Sequence, residues 1–137
     1  MIKNTILVSF LFFIQVLAFS QADKTLSLCD KHLSPPFVSD GQEYRALLNG
    51  DEIAEFNVTF YGGSTYRIIA CSGKVEGNLV FSIYDKERNL LFTNRDYRNS
   101  PYWDFKIKNT VNLIIEAELN QTEGASGFAF IQIGFKQ

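Results

Sequence analysis

Three side chains offer soft or readily titrated atoms for chemistry near neutral pH: Cys29, Cys71 and the single histidine, His32. A thiol nucleophile needs a base within hydrogen-bond reach, and Cys29 with His32 is the pair that offers one. A disulfide between Cys29 and Cys71 competes for the same sulfur. The chain holds no C-x-x-C, the spacing that would mark a redox or zinc site. Its first residues read as an export signal, and two cysteines in an oxidising compartment pair most simply with each other. The bridge would join residues 42 positions apart. By restricting the unfolded chain it would stabilise the fold by about 4 kcal/mol. The expectation is a Cys29–Cys71 disulfide, with His32 near a helix C-terminus, where positive charge is favoured.

Paired carboxylates are the other hydrolytic device. Asp51 with Glu52 lies in a turn, and Glu116 with Glu118 stands on the outer face of a strand. Both pairs read as solvated surface. Calcium asks for about 6–8 oxygen ligands. Asp85, Glu87, Asn89, Asn94 and Asp96 are rich in oxygen, but Lys86, Arg88, Arg95 and Arg98 are interleaved with them and oppose a cation. Turn chemistry accounts for the Asp and Asn residues. No catalytic residue, metal or cofactor is therefore expected. What remains is aromatic binding chemistry. Tyr97 and Tyr102, with Arg95 and Arg98, form the expected platform for a sugar or peptide, because aromatic rings and Arg anchor binding surfaces. Trp103 is in phase with Phe105 and Ile107 and reads as core. Asn57-Val-Thr59 and Asn120-Gln-Thr122 match a glycosylation pattern, read as chance behind a bacterial-type leader.

These residues need a scaffold, and the composition bounds it. The chain has 137 residues, 46% hydrophobic and 20% charged, with a net charge of -2. That supports one domain with a real core and excludes a disordered chain. The slight acidity argues against a nucleic-acid partner. Lys3, the apolar run Ile6–Phe19 and the small residues Ala18 and Ser20 form a signal-peptide pattern over residues 1–20, with cleavage after Ser20. The run is roughly 14 residues, short of the ~20 that span a bilayer. The mature chain is expected in the periplasm or outside the cell, without stable membrane insertion.

Residues 21–43 read as an arm. Leu26, Cys29 and Leu33 fall on one face of a short helix over 23–33, and Ser34-Pro35-Pro36 stops it. From Tyr44 the pattern has period two. Phe56, Val58 and Phe60 share a face, as do Tyr66, Ile68 and Ala70, then Leu113, Ile115 and Ala117, then Ala129, Ile131 and Ile133. Ile69 and Cys71 lie on the reverse of their strand, a face that the Cys29 arm would cover. Asp40-Gly41 signals a turn, and Asn49-Gly50-Asp51 signals a hairpin. About eight short strands with turn signals between them predict an all-β antiparallel sandwich over residues 44–137.

Gly63-Ser-Thr-Tyr-Arg-Ile-Ile69, Gly77-Asn-Leu-Val-Phe-Ser-Ile-Tyr-Asp85, Asn89-Leu-Leu-Phe-Thr-Asn94 and Gly127-Phe-Ala-Phe-Ile-Gln-Ile133 together resemble the bacterial pre-peptidase C-terminal domain, over roughly residues 44–135. The resemblance implies a jelly-roll-like β-sandwich on a secreted protein. Members of that family usually follow a peptidase and assist export, localisation or substrate binding. The residues ahead of the domain here hold no peptidase, so those roles are not carried over. The resulting expectation is a secreted or periplasmic non-enzymatic domain that binds an envelope protein or a glycan through its loops. An envelope assembly component, or a small hydrolase using Cys29 and His32, is the alternative.

Overall fold

The computed structural model describes residues 29–72, 77–120 and 126–137. The signal-peptide reading and most of the expected helix lie outside them. Eight strands are described: β1 (Val38–Asn49), β2 (Ile53–Phe60), β3 (Thr65–Ser72), β4 (Leu79–Tyr84), β5 (Leu90–Thr93), β6 (Tyr102–Lys106), β7 (Val111–Leu119) and β8 (Ser126–Lys136). A single 3-10 turn, Asn94–Tyr97, follows β5. The strands form two four-stranded antiparallel sheets, ordered β1-β8-β3-β6 and β2-β7-β4-β5.

The order has a simple origin. β4 pairs with β5, β3 with β6, β2 with β7 and β1 with β8. The chain is thus one long antiparallel ribbon folded back from the β4–β5 hairpin. Its segments alternate between layers, and β3 with β8, and β4 with β7, seal the sheets. This is the jelly-roll solution to burying one face of every strand. The period-two residues named above fill the gap between layers, with Phe60, Ile68, Phe81, Ile115, Ala129 and Ile131 almost fully buried.

Two turn signals act differently from expectation. The Asn49–Asp51 turn closes locally, with Gly50 at φ 59 and the Glu52 N–H donating to the Asn49 carbonyl at 3.1 Å. Yet β1 and β2 do not pair as a hairpin; the turn carries the chain from one sheet to the other. Turn residues reverse direction, whereas pairing follows the faces to be buried. Asp40-Gly41 is not a turn ahead of the first strand. β1 begins at Val38, and its register against β8 shifts between Ser39 and Glu43, with Gly41 at φ 81.

The outer face of β3 and β8 carries a second cluster of Cys29, Ile69, Cys71 and Phe130, with Leu33, Tyr102 and Phe128 packed on it. Cys29 and Cys71 are bonded, with 5.7 Å between their Cα atoms. Cys29 and Asp30 are helical. Arg67 holds the arm down: its guanidinium donates to both Asp104 oxygens at 2.7 and 2.9 Å and to the His32 carbonyl at 3.1 Å. The same group lies 4.1 Å from the Phe37 ring centroid and 4.5 Å from that of Tyr102. Among the described residues no helix is long and apolar enough to cross a membrane.

Candidate functional site

The two sheets end together on two sides, and these sides hold the candidate surfaces. On one, β5 and β6 are the edge strands. Phe92 points between the layers, 5.0 Å edge-on to Phe105 and 5.3 Å from Trp103. Tyr97 lies parallel to Phe92 at 5.5 Å and 4.2 Å from Trp103. Asn94 anchors this cap. It is fully buried, accepts from the Phe81 N–H at 2.9 Å, and donates to the carbonyls of Leu79 at 3.1 Å and Ser100 at 2.9 Å. Arg98 and Asn99 then take left-handed backbone at φ 56 and 52, which returns the chain toward β6. Tyr97 therefore has a fixed position while staying 49% exposed, and Leu90 and Leu91 on the edge strand β5 are 54% and 56% exposed.

The expected platform is only partly assembled. Tyr97, Arg95 and Arg98 share this edge, with Arg95 in an ion pair to Glu118. Tyr102 is not brought to them: it precedes Trp103 on β6 and so faces the other way, 5.0 Å from His32 under the arm. Glu116 and Glu118 do stand on the outer face. Glu55 sits directly opposite Glu116, and Arg88 bridges the two at 2.9 and 3.0 Å. The Glu55 hydrogen bonds hold the Arg88 guanidinium above its ordinary pKa.

The oxygen-rich segment is used by the backbone. Asp85 accepts from both the N–H and the side-chain amide of Asn89 at 2.8 Å, which holds its carboxyl below the ordinary range. Asn94 has all its amide atoms engaged inside the protein. Among the described residues no group of three or more His, Cys, Asp or Glu gathers as metal ligands. The hydrolase alternative loses its nucleophile, because the Cys29 sulfur is bonded to Cys71.

The opposite side, where β1 and β2 are the edges, holds a cleft of about 620 Å³ that was not singled out from the sequence. Its floor is Val58, Phe60, Tyr66, Ile133 and Phe135. Phe60 stacks on Tyr66 at 4.2 Å. Its walls come from the start of β1, with Asp40, Gln42 and Tyr44, and from the end of β2. Tyr61 stands at the rim, 64% exposed, its N–H donating to the Tyr66 hydroxyl at 3.0 Å. Asp40 accepts from the Gln42 N–H at 2.8 Å. Burial nevertheless pushes its carboxyl above the ordinary range, and burial together with the Asp40 charge pushes the Tyr44 phenol up. The Tyr44 hydroxyl donates to the Gln42 side-chain carbonyl. These residues come from distant stretches of chain, and no local motif joins them. The one available signal was Asp40-Gly41, a polar break just ahead of an inward-facing tyrosine.

No protein-family model matches the chain, and neither does any curated protein. Among solved structures, a periplasmic inhibitor of g-type lysozyme from Aeromonas hydrophila is similar, with a TM-score of 0.53 at 9% identity, over 69% of this chain and 85% of that one. At that identity the likeness is one of fold.

Proposed function

We propose that this chain is an exported, non-enzymatic binding module that docks onto another protein through the β5–β6 edge. The observation that carries the reading is Tyr97, a half-exposed ring held over Phe92 and Trp103, on an edge whose strand β5 also exposes Leu90 and Leu91. A ring already ordered in the free protein loses little freedom on binding, which is what makes aromatic anchors strong. Arg95 and Arg98 rim this edge and provide polar contacts around an apolar centre.

Export is supported by the leader pattern of residues 1–20 and by the disulfide, a bond that persists in oxidising compartments. The solved neighbour is itself periplasmic and is an inhibitor, not an enzyme. Its partner class makes a lysozyme the first protein to test. The jelly-roll order is also compatible with kinship to pre-peptidase C-terminal domains, which belongs to the same proposal.

The test is biosensor binding of the mature chain to lysozymes of the g, c and i types. At least one should bind with a Kd near or below about 1 µM. Replacing Leu91 and Tyr97 together with Ala should weaken that binding at least tenfold, about 1.4 kcal/mol. Failure of all three types to bind, or equal binding by the double variant, overturns the reading.

A further inference from the structure

The β1–β2 cleft is separate from the edge just described, and its lining has its own chemistry. About 620 Å³ is ample for a small organic ligand, since such sites run ~300–1,000 Å³. Three properties narrow the class.

The first is charge. Among side chains the lining contains one carboxylate, Asp40, and neither Lys nor Arg. The cations of β1 and β8 are engaged elsewhere. Arg45 is paired with Glu43 at 2.7 Å and lies over Phe130, and the Lys136 ammonium lies over Phe37. A phosphate or carboxylate ligand would meet the Asp40 charge and no cationic side chain of the lining.

The second is the mixture of surfaces. The floor is aromatic and aliphatic, but Gln42, Ser64 and Gln137 bring neutral amides and a hydroxyl around it. A hydrocarbon ligand would strip water from those groups and return no hydrogen bonds, at a cost of about 1–3 kcal/mol each. Amides both donate and accept, so they suit hydroxyl groups, which do the same.

The third concerns the rings. Tyr66 already has one face against Phe60, and Tyr44 packs against Phe56 at 5.1 Å. They do not form a cage around a cation. Tyr61, by contrast, offers an exposed ring at the rim. One flat apolar face beside a line of neutral polar groups matches a sugar ring, whose C–H face is apolar and whose edge carries hydroxyls.

We propose that this cleft is a saccharide site for a neutral di- or trisaccharide segment. Tyr61 is the stacking platform, Gln42 and Gln137 bond the hydroxyl edge, and Asp40 accepts from a pair of neighbouring hydroxyls. The site is independent of the protein-docking edge, so either proposal can fail without the other.

The experiment is an amide-resolved NMR titration of the mature chain. Cellotriose, maltotriose and the β-1,4-linked N-acetylglucosamine trimer serve as saccharide probes. Nα-acetyl-lysine methyl amide and inorganic phosphate serve as cation and anion probes. At least one saccharide should shift the amides of Gln42, Asn57 and Tyr61 saturably, with a Kd below about 10 mM. Tyr61→Ala should weaken binding at least fivefold. Because Tyr61 is mostly exposed, the variant should keep the wild-type spectrum elsewhere. Lys86→Ala, on the distant β4–β5 hairpin, should bind as wild type does. The proposal is overturned if no saccharide moves these amides, if the lysine derivative or phosphate binds more tightly than every saccharide, or if Tyr61→Ala binds unchanged.

Discussion

The two open sides of this sandwich were given the same problem and solve it differently. At the β5–β6 side, Phe92, Trp103 and Phe105 point into the gap between layers, and the 3-10 turn folds Tyr97 over them. The side is plugged. At the β1–β2 side, the register of β1 against β8 slips between Ser39 and Glu43. Ser39 and Asp40 accept from the N–H groups of Gly41 and Gln42 at 3.0 and 2.8 Å, which holds the irregular segment in shape. Regular pairing is lost over this stretch, and the side stays open as a cleft. Tyr44 and Phe56 still meet across this side at 5.1 Å, so the opening is confined to the stretch beside the bulge. The closed side yields a rigid, convex anchor, and the open side a concave site.

The contrast makes quantitative demands. The largest effect should come from Asn94, the buried post under the closed side. Asn94→Ala leaves the Phe81 N–H and the Leu79 and Ser100 carbonyls without their partner. The expected loss is about 3 kcal/mol in urea unfolding, because buried backbone groups left unpaired cost about 1–3 kcal/mol each. A loss under about 1 kcal/mol would mean that water replaces Asn94 readily and the side is not a rigid plug.

A matched pair sharpens the comparison next. Trp103→Ala should cost about 2–3 kcal/mol, since it removes a half-buried ring from a four-ring stack. Tyr44→Ala, on the open side, should cost roughly 1 kcal/mol, because the cleft beside it already admits water. Equal losses in chemical denaturation would erase the distinction between the sides.

The smallest effect is electrostatic. Burial raises the Asp40 pKa from 3.8, so the folded protein resists its ionisation more than the unfolded chain does. Asp40 thus favours folding only while protonated, and that advantage is lost as pH rises through its raised folded value. Asp40→Asn keeps an acceptor for the Gln42 N–H and removes the charge. Its melting temperature should equal the wild type's below pH 3.8 and exceed it at pH 7. The gain should be no more than about 3 °C, because Asp40 retains contact with solvent. A variant less stable than wild type at pH 7 would show that the carboxylate is held by something other than its own turn.

Much of this was readable from residue order. Alternation placed Ile68 inward and Ile69 with Cys71 outward, and the two cysteines implied the arm that covers them. Trp103 was in phase with the core and lies there. The same alternation separates Tyr102 from Trp103, so strand phase sets Tyr102 under the arm and away from Tyr97. The Asn49–Asp51 turn was also recognisable, but not the destination of the strand after it. The role of Asn94 escaped notice because a buried amide and a loop amide look alike in sequence.

Residue order alone determined which face of each strand is apolar, that the chain turns at Asn49–Asp51, and which two sulfurs meet. Those properties depend on a residue and its near neighbours, through the two-residue pleat and the backbone limits of Gly and Pro. Only the tertiary structure decided which strands pair, that the ribbon nests from β4–β5 outward, and that one side is filled while the other gapes. Those outcomes depend on the joint burial of faces far apart in the chain, and no short window of sequence contains both partners.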